Sequence, residues 1–202
     1  SLGAAAVEIW TDVDGVLSAD PRVVDGVQTW SEIDLPVMSE LSHGGAKVLH
    51  PKTITAAVEA NIPVIVKNTF NPTAPGTRVV AHEKERGVVR GIAVDKGQML
   101  FTFVEEGMLQ GVGFVRKVSE VIEAHGVSLD VCTTSEVTLS ISIEESQYSK
   151  KLFKDLQKVA ATDVTHHLAK ICVIGNDISH NPQLLQTIFA QLDGDEVHLS
   201  LI

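Results

Sequence analysis

A chain of 202 residues with 44% hydrophobic content carries enough apolar material to bury a sizeable core in one or two domains. Its formal charge of -10 comes from acids scattered along the sequence, which excludes a surface built to neutralise phosphate backbones, so nucleic acid is not an expected partner. No run reaches the roughly 18 apolar residues that a membrane helix requires, and Cys132 and Cys172 show neither a Cys-x-x-Cys spacing nor a disulfide framework, so a soluble cytoplasmic protein with reduced thiols is expected.

The first residues, SLGAAAVEIW, enter a strand without an introductory turn or cap, which reads as a fragment. A short apolar strand at 7–10 then delivers Thr11 and Asp12 to the loop DVDGVLSADPR, dense in Asp, Gly and Pro. Over 35–49, Leu35, Met38, Leu41 and Val48 recur at near-helical spacing with HGGA interrupting, and Pro51 opens another helix. IPVIVKN is a buried-strand run, TFNPTAPGT a Pro-rich loop, and AHEKERG the least periodic stretch, which predicts a domain boundary near residue 85.

The pattern then changes in kind. QMLFTFV predicts a strand, followed by a Gly-bounded loop and a helix whose Phe114, Val118, Val121, Ile122 and His125 share one face. Strands VSLDVCT and EVTLSISI come next, the latter alternating Val137, Leu139, Ile141 and Ile143 with Thr138, Ser140 and Ser142 as a one-sided sheet requires. A helix with Leu152, Phe153, Leu156 and Val159 and a strand AKICVIG complete a β-α-β-β-α-β order, the ferredoxin-like unit. From Ile171 a second, incomplete copy begins, with helix PQLLQTIFAQL and a closing EVHLSLI that echoes EVTLSISI. The expected division is 1–85, 86–168 and 169–202.

Two chemistries compete for TDVDGVL: a phosphatase's nucleophilic aspartate at a strand end, and the lip of a nucleotide pocket. The phosphatase mechanism needs several carboxylates converging on a metal, yet Asp12 and Asp177 fall in different predicted domains. An EF-hand is excluded by the early Gly15 and the lack of a closing Glu. The eight histidines show no metal-ligand spacing, and adjacent His166 and His167 diverge on any regular helix or strand, so no metal site is expected. Glu105, Glu106, Glu144 and Glu145 read as solvated loop acids.

EIWTDVDGVLSADPR, GAKVLHPKTI, IPVIVKNTFNPTAPGT and TTSEVTLSI, in this order and at about these spacings, resemble the C-terminal half of aspartate kinases. The resemblance covers nearly the whole chain. It implies the end of an amino-acid kinase α/β sandwich followed by tandem ACT regulatory modules, each β-α-β-β-α-β. It places Thr11, Asp12, Arg22 and Lys47 at the nucleotide, with Arg22 and Lys47 reaching its phosphates; Leu17 stands where the family usually has an aromatic. A planar guanidinium and a point-charge ammonium suit a polyphosphate. Read without the family, Arg22 pairs with Asp20 or Asp25 and Lys47 is a solvated helix residue.

The implied reaction transfers the γ-phosphoryl group of Mg2+-bound ATP to the side-chain carboxylate of L-aspartate, on the route to lysine, threonine and methionine. The family's aspartate site lies in its N-terminal half, so this chain is expected not to turn over alone. The implied effector site, for lysine or threonine, comprises Met108, Gly111, Phe114, Val115, Leu129, Asp130, Ser135 and Glu136. EEGMLQGVGF runs into a helix N-terminus, whose unpaired amides suit a carboxylate. Some lysine-sensitive relatives carry a hydroxyl at the position of Gly111. An acid on the apolar run VSLDVC wants a cation, so Asp130 meets either an effector ammonium or a neighbour such as Lys117 or Arg116. A homodimer through paired ACT sheet edges is expected. The rival reading is a non-catalytic, amino-acid-sensing regulatory subunit.

Overall fold

The computed structural model describes residues 4–43, 55–81, 88–104 and 113–192. They belong to two compact units, Ser1–Val94 with Ile171–Ile202, and Asp95–Lys170. Among the described residues, no helix is long and apolar enough to cross a membrane.

The first unit is built on a four-stranded sheet of β1 (Val7–Thr11), β2 (Glu32–Asp34), β3 (Val64–Asn68) and β4 (Thr77–Val80), in the order β1-β3-β4-β2. β1 and β3 are parallel, with Thr11 opposite Asn68, and β4 runs antiparallel to β3. Val64 and Val66 alternate inward along β3 and meet Ile33, Val37, Met38, Leu41 and Val79 in one core. Helix α1 (Leu35–His43) follows β2 directly because Asp34, 3% exposed, caps it: its Oδ1 accepts from Val37 N at 2.8 Å. The other oxygen accepts from Asn176 Nδ2 at 2.8 Å. Helix α2 (Thr55–Glu59) precedes β3; Pro51, the HGGA interruption after its His43 and most of AHEKERG lie outside the described residues. The sequence reading missed β2 and β4, whose three and four residues are too few to show a period.

The second unit follows the predicted β-α-β-β-α-β order: β5 (Val88–Val104), α3 (Phe114–Ala124), β6 (Cys132–Thr134), β7 (Thr138–Glu144), α4 (Lys150–Gln157) and β8 (Ala161–Asn176). The strand order β6-β7-β5-β8 is the ferredoxin-like one. Phe101 lies opposite Ile141 and Phe103 opposite Leu139. On that face Met99, Phe101, Phe103, Leu139, Ile141 and Ile143 pack with Val118 and Ile122 of α3 and Leu152 and Leu156 of α4. Each such side chain, taken fully out of water, contributes about 1.5 to 3 kcal/mol. Ser149 caps α4, its Oγ accepting from Leu152 N at 3.0 Å.

Three predicted strands differ in extent. QMLFTFV and AKICVIG are the ends of strands of 17 and 16 residues, β5 and β8, whose outer portions hide behind charges and glycines. VSLDVCT forms a ladder only from Cys132, because Asp130 N and Val131 N both bond to Ser142, through its carbonyl and its hydroxyl respectively, leaving two residues opposite one. The division between the units falls within β5 and β8. Beyond β8, α5 (Pro182–Ala190) is capped by Asn181 with Pro182 at its first position, while EVHLSLI lies outside the described residues.

Candidate nucleotide and effector sites

Parallel pairing sends the carboxyl ends of β1 and β3 to the same edge of the sheet, the place where α/β sheets bind ligands. Thr11 ends β1, and its Oγ1 donates to Asp12 Oδ1 at 3.1 Å. Asp14 Oδ1 accepts from Asn68 Nδ2 at 2.8 Å and Asn71 Nδ2 at 3.1 Å, tying the loop after β1 to the loop after β3. Asn68 Oδ1 in turn accepts from Phe70 N at 2.8 Å, and Thr69 N donates to Thr11 O at 2.8 Å.

Gly15 sits at φ +145, and a Cβ there would stand 2.3 Å from Thr77 Oγ1. That hydroxyl accepts from Val16 N at 2.8 Å and donates to Trp30 O at 2.5 Å, so it fixes both ends of the 16–30 excursion. At its tip Asp20 and Pro21 form a turn, closed by Val23 N donating to Asp20 O at 3.0 Å. Arg22 is held there by Asp20 in a bidentate pair, Nε to Oδ1 at 3.1 Å and Nη2 to Oδ2 at 2.9 Å. That hydrogen bond and charge raise the guanidinium's pKa, and Asp12 adds to the effect through space. The isolated reading of Arg22, a surface pair with Asp20, is thus the contact observed, and Asp12 is near enough to share its field. Lys47 lies outside the described residues.

Asp14, Asn68 and Asn71 were not singled out from sequence. Their signal was an Asn-bearing loop directly after a buried strand, which becomes informative only once that strand is known to lie beside β1.

In the second unit, Gly113 at φ 90 begins α3 without a side-chain cap; Met108 and Gly111 lie outside the described residues. Phe114 meets Phe103 edge-on at 6.4 Å between ring centroids, Leu129 packs on the same core, and Val115 is exposed. Ser135 shapes the turn between β6 and β7: its N donates to Thr138 O at 2.8 Å, its Oγ lies 2.5 Å from Thr138 Oγ1, and Glu136 beside it is exposed. The cation that Asp130 wants is Lys170, whose Nζ donates to Asp130 Oδ2 and lies 3.6 Å from Asp95 Oδ2. It is neither Lys117 nor Arg116; Arg116 pairs with Glu120 at 3.4 Å.

His166 and His167 do not diverge as adjacent strand residues should. His167 adopts φ 59, which breaks the alternation, so both Nδ1 atoms come within 3.2 Å of the Glu145 carboxylate, one at each oxygen. His125, expected on the apolar face of α3, bonds through Nε2 to Asp155 Oδ2 at 3.0 Å and so joins α3 to α4. Lys158 first, and His125 after it, lower the Asp155 pKa by hydrogen bonding. Among the described residues, no group of three or more His, Cys, Asp or Glu is disposed to hold a metal ion.

Comparison with known proteins matches residues 1–68 to the amino acid kinase family. The whole chain is 32% identical to aspartokinase 3 of Arabidopsis thaliana, chloroplastic, and spans 38% of its length. Among solved structures, E. coli aspartokinase III in complex with lysine and aspartate superposes with a TM-score of 0.84 at 31% identity, over 100% of this chain and 46% of that one. The same enzyme with aspartate and ADP gives 0.84 at 32% identity, over 98% and 46%. The phosphatase reading of TDVDGVL falls with these matches, because that stretch lies within the part that aligns with kinases. Sequence and superposition agree: over its whole length the chain is similar to the C-terminal part of aspartokinases, and it spans less than half the length of the relatives it matches.

Proposed function

We propose that the chain is the nucleotide-lip and regulatory portion of an aspartate kinase, which transfers the γ-phosphoryl group of ATP to the side-chain carboxylate of L-aspartate and answers to an end-product amino acid. In this reading 1–85 ends the kinase domain, 86–168 is the first ACT module and 169–202 begins a second. The supporting observation is the shared carboxyl edge of β1 and β3, where Thr11, which holds Asp12, and Asp14 meet Asn68 and the loop after it. Phosphoryl transfer asks a protein chiefly for positioning and charge neutralisation. Arg22 would supply the charge by exchanging Asp20 for phosphate oxygens, joined by Lys47. Mg2+ would arrive with the nucleotide, held mainly by its phosphates.

The neighbour solved with lysine supports a lysine-type effector here. In this reading Phe114, Val115, Leu129, Asp130, Ser135 and Glu136, with Met108 and Gly111, would contact its carboxylate and ammonium. A homodimer through the ACT modules fits the same reading. The sensing-subunit alternative is disfavoured by residues 1–68, which a pure sensor does not need.

Titration of the chain with Mg-ATP tests the lip: binding weakened in Arg22→Met and in Asp12→Ala is expected, and equal affinity in all three would refute the assignment. No ADP production is expected from this chain by itself, and turnover would overturn that part. Calorimetry with L-lysine, L-threonine and L-methionine on wild type and Asp130→Ala tests the effector site, with binding lost in the variant. Sedimentation as a monomer with and without amino acid would remove the dimer.

A further inference from the structure

We propose that Lys170 is a tethered competitor for the effector's ammonium group, occupying Asp130 in the unliganded protein and withdrawing to Asp95 when an amino acid binds. The inference rests on the reading of Asp130 as an effector contact.

Lys170 Nζ donates to Asp130 Oδ2, and Asp95 Oδ2 stands 3.6 Å from the same Nζ. Asp95 Oδ2 already accepts from Gln98 Nε2 at 2.9 Å, which holds that carboxylate in place. The Lys170 side chain is 15% exposed and that of Asp130 29%. The pair is therefore drawn partly out of water, where opposite charges attract more strongly than on an open surface.

The ammonium of a free amino acid is chemically the same group as Lys170 Nζ. Two such cations on one carboxylate oxygen repel each other, so an entering effector must displace the lysine. Asp95 is the ready acceptor, since a shift of about 1 Å turns a 3.6 Å separation into an ordinary hydrogen bond. A site whose carboxylate is occupied by its own chain binds with an affinity reduced by the fraction of time the carboxylate is free. Lys170 would thus set the threshold concentration of effector without touching it. Asp95 and Lys170 are also the first and last residues of the second unit, so the exchange takes place where the chain enters and leaves it.

Calorimetry of L-lysine and L-threonine binding to the 202-residue chain tests this, with folding of each variant checked by far-UV circular dichroism. Lys170→Met, and Lys170→Gln as a second neutral variant, should lower Kd about ten-fold, the loss suffered by a carboxylate occupied nine-tenths of the time. Lys170→Arg, which keeps the charge, should bind as wild type does. Asp95→Asn, which removes the alternative acceptor, should bind more weakly. Unchanged or weaker binding in both neutral variants, with binding abolished in Asp130→Ala, overturns the competition while leaving the effector site standing. Undiminished binding in Asp130→Ala, or no binding of either amino acid to wild type and the neutral variants, overturns both.

Discussion

Replacing Asp34 by Ala should destabilise the first unit by about 2 to 3 kcal/mol. One carboxylate oxygen accepts from Val37 N at 2.8 Å and caps α1, a contact whose loss costs about 1 kcal/mol. The other accepts from Asn176 Nδ2 at 2.8 Å, and a half-buried amide left without its charged partner costs roughly 1 to 2 kcal/mol more. Urea denaturation followed by tryptophan fluorescence reads this unit selectively, because both tryptophans, Trp10 and Trp30, belong to it. At an m-value of about 2 kcal/mol per molar, the midpoint should fall by about 1 to 1.5 M. Asp34→Asn, which keeps a capping oxygen, should lose less. A double-mutant cycle with Asn176→Ala should return about 1 kcal/mol of coupling between the two side chains. Additivity within about 0.3 kcal/mol, or a midpoint change below about 0.2 M, would refute the bridging role.

Gly15→Ala forces a side chain into a positive-φ position 2.3 Å from Thr77 Oγ1, and should cost about 2 kcal/mol by the same fluorescence assay and weaken Mg-ATP binding, since Thr77 anchors the Arg22 excursion. Leu156→Ala empties a fully buried position under β5 and β7, with an expected loss of about 2 to 5 kcal/mol measured by the thermal melt of the second unit in circular dichroism. Asp155 has its pKa lowered in the folded state by Lys158 and His125, so its stabilising effect is complete above the ordinary carboxylate range and disappears as pH falls through the depressed value. Asp155→Asn should therefore be less stable than wild type near neutrality, with the gap closing in acid; a constant gap from pH 7 to pH 2 would refute the linkage.

The ferredoxin-like order was legible in the sequence because its apolar positions repeat: Leu139, Ile141 and Ile143 alternate with hydroxyl residues, and Val118 and Ile122 recur one helical turn apart. Local periodicity registers such faces without knowledge of what they cover. β2 and β4 were illegible, being too short to repeat an alternation often enough to register, and so were the outer portions of β5 and β8, where charged residues interrupt the apolar run.

For the candidate sites, the Asp, Gly and Pro of DVDGVLSADPR marked a loop at a strand end, and the motif order marked the family. The chain alone also posed Asp130 as an acid in need of a cation. Only the tertiary structure decided that this cation is Lys170, forty residues away, and that Asp14 joins Asn68 and Asn71 across two parallel strands. It also decided that His166 and His167 turn to one carboxylate through a positive φ. The physical reason is common to all three. Residue type determines what a side chain needs, a charge, a donor or an apolar face, whereas the partner that meets the need is chosen by strand pairing and backbone torsions spanning long stretches of chain.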